Sequence, residues 1–200
     1  MGTISVRKLG GLSLIIGPIV AVVCFLIRPG GGLVGGTVDP ADAGATIGVL
    51  MANSDLAGIS YLLGAVGLIM LLYGVNVLVG TLKGGNGEAL ARYGSLLLLL
   101  AAVGWVTSSA LDLAIAGGSA GAAAGAVYVI SLSINIMAGL LSALAFLGIS
   151  LGISTRDDSN KVFALIVAAV SAVLVVFAVL SGRDLSLLQT AGLVAGIGYI

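Results

Sequence analysis

Long apolar runs free of charge alternate with short polar clusters along almost the whole chain. The stretch from Arg92 to Gly118 sets the scale. Nineteen uncharged residues separate Arg92 from Asp112, and at about 1.5 Å per helical residue the two charges stand about 30 Å apart. That is the hydrocarbon thickness of a bilayer, so each charge belongs near one membrane face. The same pattern predicts membrane-spanning helices at about 9–28, 56–82, 92–116, 121–153, 162–182 and 185–200. The last run of 16 residues barely spans. The fold expected is all-α: a polytopic transmembrane helical bundle forming one integral membrane domain over residues 1–200.

The polar clusters read as turns and caps. Arg28-Pro29 ends the first span, inside which Pro18 is expected to kink the helix. After a glycine-rich link, Asp39 is placed to cap a short extra helix over about 40–52, with Pro40 in its first position and Asp42 in its first turn. This helix is expected to lie at the membrane surface or over the bundle. Asn53-Ser54-Asp55 caps the second span, and 83–88 forms a turn without the spacing of a phosphate loop. Residues 155–161 form a solvated loop in which Asp157 and Asp158 serve the turn and not a metal. The first span follows Arg7-Lys8 as a signal peptide would. Its apolar run, 9–27, is longer than a usual signal core and has no A-x-A site after it, so it is read as uncleaved.

Two polar stripes interrupt the apolar surface. Trp105, Ser108, Ser109 and Asp112 recur at i, i+3, i+4 and i+7 on the third span. Tyr128, Ser131, Asn135 and Ser142 follow a similar rhythm on the fourth. Polar stripes on lipid-spanning helices face other helices, and Asn135 is expected to join helices near mid-membrane. Asp112 is expected to be an interfacial carboxylate. Gly117, Gly121 and Gly125, with Gly192 and Gly196, stand four apart and are expected to make the closest helix contacts.

Composition narrows the chemistry. The chain is 60% hydrophobic and 8% charged, with a mean hydropathy of +1.26, whereas about a quarter of a soluble domain is charged. Eight basic and eight acidic residues cancel, which removes any electrostatic case for nucleic acid. Histidine is absent and Cys24 is the single cysteine, so the familiar zinc, haem, disulfide and Ser-His or Cys-His constellations have no members here. Neither catalytic residues nor a cofactor-binding spacing can be assigned, and an enzyme is not expected. The 32 glycines suit close helix packing in lipid.

Charge also orients the chain. With the N-terminus cytoplasmic, six cations (Arg7, Lys8, Lys83, Arg92, Arg156, Lys161) fall inside, against Arg28 and Arg183 outside. The expected location is the plasma membrane, multi-pass. The features Arg7-Lys8-Leu9-Gly10-Gly11-Leu12, Asp42-Ala43-Gly44-Ala45-Thr46 and Leu90-Ala91-Arg92-Tyr93-Gly94 occur in an order that resembles uncharacterised families of small prokaryotic multi-pass membrane proteins. The resemblance implies a six-helix bundle and carries no chemistry with it. The expected role is therefore a structural or accessory subunit whose partners are membrane lipids and other membrane-protein chains. The alternative is a small-solute transporter or channel lined by the stripes of the third and fourth spans.

Overall fold

A computed structural model describes residues 4–31, 36, 38–188, 190 and 194. It is all-helical: α1 (Val6–Ile27), α2 (Ala43–Ala52), α3 (Ser54–Thr81), α4 (Glu88–Ala116), a single 3₁₀ turn at Gly121–Ala123, α5 (Ala124–Ser154) and α6 (Lys161–Ser181). Five of these are long and apolar enough to cross a bilayer, and the chain is a multi-pass membrane protein. The expected sixth span, with Gly192 and Gly196, lies largely outside the described residues.

Helix starts follow local hydrogen bonding. Ser5 caps α1 by accepting from Lys8 N, and Asn160 caps α6 by accepting from Phe163 N. Asp42, not Asp39, caps α2: its carboxylate takes Ala45 N at 2.9 Å, while Asp39 takes Ala41 N in the preceding turn. Asn53 adds no side-chain cap to α3. Its amide instead donates backward to Val49 O, closing the end of α2. Asp157 and Asp158 are solvated and paired with Lys161 and Arg156, and each partner holds its carboxyl below the ordinary carboxylate range.

Among the described residues the long helices pack in chain order, α1 on α3, α3 on α4, α4 on α5 and α5 on α6. Two of these seams are built from small residues seven apart. On α4 and its N-cap the buried series is Gly87, Gly94, Ala101, Ser108; on α5 it is Ser131, Ala138, Ala145, Gly152. The helices run antiparallel, with Gly87 against Gly152, Gly94 against Ala145 and Ser108 against Ser131. The α1–α3 seam repeats the device, pairing Gly10 with Gly74 and Gly17 with Gly67. A seven-residue period keeps one row of residues on the partner for the whole length of a helix pair. Small side chains in that row bring the backbones close enough for dispersion to replace the hydrophobic drive that lipid does not supply.

The ridge expected at Gly117, Gly121 and Gly125 does not make these contacts. Gly121 and Gly125 have no neighbour within 4 Å of where a Cβ would sit, and Gly117 meets only the carbonyl of Leu113 in its own helix. Gly125 lies in the first turn of α5, and Gly117 and Gly121 serve the connection between α4 and α5. Gly118 and Gly121 adopt φ values of 73° and 51° there, a region open to glycine and strained for other residues.

The alternating helices leave one end of the molecule basic and the other acidic. Arg7, Lys8, Lys83, Arg92, Arg156 and Lys161 mark the basic end, where Arg156 also donates to Thr81 O at 2.7 Å and ties the α5–α6 loop to α3. Asp39, Asp42, Asp55, Asp112 and Asp184 mark the acidic end, and α2 lies across it against α3, α4 and α5.

Candidate functional site

The last rung of the α4–α5 seam changes from carbon contact to hydrogen bonding. Ser108 and Asp112 lie one turn apart on α4, and the antiparallel register sets Ser131 of α5 between them. Ser131 Oγ is 2.7 Å from Asp112 Oδ1, 2.8 Å from Ser108 Oγ and 3.1 Å from Ser108 O. A hydroxyl has one proton. The carboxylate oxygen is the strongest acceptor and the nearest, so Ser131 donates to Asp112 and accepts from Ser108. The result is a short relay of hydroxyls ending on a carboxylate.

The surroundings close this relay off. Asp112 is 9% exposed, against the expectation of an interfacial, solvated carboxylate. Its height along the helix places it near the membrane face, but α2 covers that end of the bundle and excludes water. Leu50 of α2, 2% exposed, is packed with Ala57, Tyr61, Ile115, Ala116 and Tyr128. The Tyr61 phenol and Arg28, at the end of α1, are further polar groups within electrostatic reach of Asp112. Burial of a carboxylate costs several kcal/mol unless donors and opposite charge surround it, and these groups offset part of that cost.

Tyr128 fastens the cover. Its hydroxyl donates to Pro40 O at 2.8 Å, bonding α5 to the turn that leads into α2. The Thr46 hydroxyl of α2 is buried with no well-aligned partner among the described residues. It lies beside the Tyr128 oxygen, whose lone pairs remain open because its proton is used on Pro40.

Of the residues on the two stripes, the fold therefore brings together Ser108, Asp112, Tyr128 and Ser131. Trp105 and Ser109 are half-buried and make no side-chain hydrogen bond among the described residues. Ser142 is buried but donates to Gly139 O of its own helix. Asn135 is half-buried and forms no bond between helices among the described residues, correcting its expected joining role. The interhelical amide bond occurs elsewhere, between Asn76 of α3 and Ser95 of α4 at 3.0 Å. Tyr61, Thr46, Leu50 and Arg28 are members of the site that the stripes did not reveal. Each stands at a helix end or on α2, and all sit at the membrane height of Asp112, which is the signal that groups them.

Chemically, the arrangement can hold a carboxylate and a set of hydroxyls in fixed geometry out of water. Among the described residues no three His, Cys, Asp or Glu side chains converge as metal ligands. Toward mid-membrane the α4–α5 seam continues as packed carbon, with Gly104 against the Ala138 Cβ and Ala101 and Ala138 buried. No family model, curated protein or solved structure matches this chain.

Proposed function

We propose that the chain is a structural or accessory helix-bundle subunit that associates with other membrane-protein chains. One observation carries this reading. The described long helices form an open row and not a closed ring, so α1 and α6 each pack closely on one other described helix. Each of those end helices keeps a wide apolar flank, with Leu12, Ile15 and Ile19 exposed on α1 and Phe163, Ile166 and Val173 on α6. Several helical glycines, among them Gly11, Gly58, Gly80 and Gly139, also meet nothing within 4 Å and offer close-approach surface to another helix.

The transporter reading has one observation in its favour, the buried Asp112, since ionisable groups inside membrane proteins commonly serve transport. Against it, Ser108, Asp112 and Ser131 spend their polar atoms on one another, Tyr128 spends its proton on Pro40 O, and Ser142 donates within its own helix. The seam below Ser108 and Ser131 is lined by small apolar residues, and the groove of about 270 Å³ beside it between α4 and α5 is apolar apart from Ser133, whose hydroxyl donates to Val129 O of its own helix. Purification from the native membrane in mild detergent separates the two. Stoichiometric co-migration with other membrane chains is the expected result. A lone monomer that moves a solute across liposome walls overturns it.

We further place the protein in the plasma membrane with its basic end cytoplasmic, following the bias of six cations against two. A phosphatase or fluorescent reporter fused after residue 160 is then expected to report the cytoplasm. An external signal reverses the orientation.

A further inference from the structure

The basic end carries a notch that the packing of the helices leaves open. Between α3 and α4 lies a groove of about 460 Å³. Its mouth is formed by Lys83 and Arg92, its floor by Asn76 and Ser95, and part of its wall by Leu96 and Leu99. Both leucines are about half exposed and face outward from the bundle.

The groove is charged in a particular way. Glu88 accepts from Arg92 Nε at 2.8 Å and, through its other oxygen, from Gly84 N at 2.6 Å. That carboxylate is engaged on both oxygens, and it pins the guanidinium while leaving its terminal N–H groups unused among the described residues. Lys83 has no ion pair among the described residues. Two cations against one carboxylate leave the mouth with one net positive charge.

Deeper in, the polarity changes from charged to neutral. Ser95 lies about one helical turn, roughly 5 Å, below Arg92, and Asn76 about two turns, roughly 10 Å, below Lys83. Ser95 Oγ donates to Asn76 Oδ1, which leaves the Asn76 amide hydrogens free to donate into the groove. Below them the wall is leucine. Cations, then a neutral amide donor, then apolar wall, in order from the interface toward mid-membrane, is the sequence of needs of a glycerophospholipid. Its phosphate requires cations, its ester carbonyls require a neutral donor, and its acyl chain requires apolar surface.

We propose that this groove binds an anionic glycerophospholipid. The phosphodiester sits between the Lys83 ammonium and the Arg92 terminal N–H groups, an ester carbonyl accepts from Asn76, and one acyl chain runs along Leu96 and Leu99. A basic recess between membrane helices at the interface is a recurring setting for anionic headgroups. The floor and wall favour a lipid over free phosphate, which would use the mouth alone. Fixing the choice to a monoanionic headgroup matches the single net charge of the mouth.

The full chain, reconstituted in nanodiscs of phosphatidylcholine with a minor share of phosphatidylglycerol, tests this by native mass spectrometry of the lipids retained on release. Phosphatidylglycerol is expected to be enriched over its share of the bilayer, and added inorganic phosphate is expected not to displace it. The double variant Lys83→Gln/Arg92→Gln is expected to lower that enrichment about thirtyfold, from about 1 kcal/mol per cation near the surface. Lys83→Gln alone changes an exposed turn residue, leaves the Arg92–Glu88 pair in place, and is expected to give about a fivefold loss on the same scale. No enrichment in the wild type, equal enrichment in Lys83→Gln, or displacement by inorganic phosphate overturns the proposal.

Discussion

Gly94→Ala is expected to weaken the bundle by about 1–3 kcal/mol, the cost of overpacking a filled seam. A Cβ at this position would stand 2.5 Å from Ala145 O and 2.8 Å from the Ile149 side chain. Neither can yield locally. The carbonyl belongs to the backbone of α5, and Ile149 is itself buried in the cluster that joins α3, α4 and α5. The two helices must separate, and they must do so over several rungs, because Gly87, Ala101 and Ser108 lie in the same row. Gly94→Leu is expected to abolish the native α4–α5 pair altogether while leaving membrane insertion intact, since insertion follows hydropathy and not packing. Gly139→Ala is the control: nothing lies within 4 Å of its Cβ position, and it is expected to be neutral or slightly stabilising. Unfolding in a mixed-detergent titration measures all three. Equal midpoints for Gly94→Ala and Gly139→Ala would mean that the close seam does not hold the bundle together.

That seam shows where sequence reading reaches its limit. The spans were legible, because a hydrocarbon slab about 30 Å thick imposes a length that charges punctuate openly. Arg92 and Asp112 each lie about one turn inside the ends of α4. The close-contact residues were legible in type and misread in period. Gly117, Gly121 and Gly125 match the four-residue motif of crossing helices, but the first two lie in the α4–α5 connection and Gly125 opens α5 with no neighbour against it. The working rows, Gly87-Gly94-Ala101-Ser108 and Ser131-Ala138-Ala145-Gly152, repeat at seven and mix glycine with alanine and serine. A search confined to glycine at spacing four passes over them, although the seven-residue period is present in the letters. Asp112 was misplaced for a different reason. Its height in the bilayer was read correctly, but height says nothing of cover. What buries it is α2, whose role as a lid depends on Leu50 and Tyr128 meeting across 78 residues of chain. Nothing local to either residue announces that contact.

The relay beneath α2 makes a prediction in which a second mutation repairs a first. Ser131→Ala removes the 2.7 Å donor to Asp112 and leaves a buried acceptor unsatisfied, at an expected cost of about 1–3 kcal/mol. Asp112→Leu in the same chain removes the acceptor as well, with a side chain of similar size. Replacing both members of a buried hydrogen bond by apolar groups costs less than stranding one of them, and the Ser108 hydroxyl, which loses its acceptor in either variant, weighs equally on both. The double variant Ser131→Ala/Asp112→Leu is therefore expected to be more stable than Ser131→Ala alone and more stable than the sum of the two single changes predicts, an interaction that independent sites cannot produce. The effect should be visible in the cover as well as in the whole. Residues 43–52 rest on this network through Leu50 and Tyr128, so their amide hydrogen exchange is expected to quicken in Ser131→Ala and to recover in the double variant. A membrane anchor built of packing alone would behave otherwise, with the two costs simply adding and α2 exchanging as in the wild type. That outcome would remove Asp112 from any part in holding the acidic end closed.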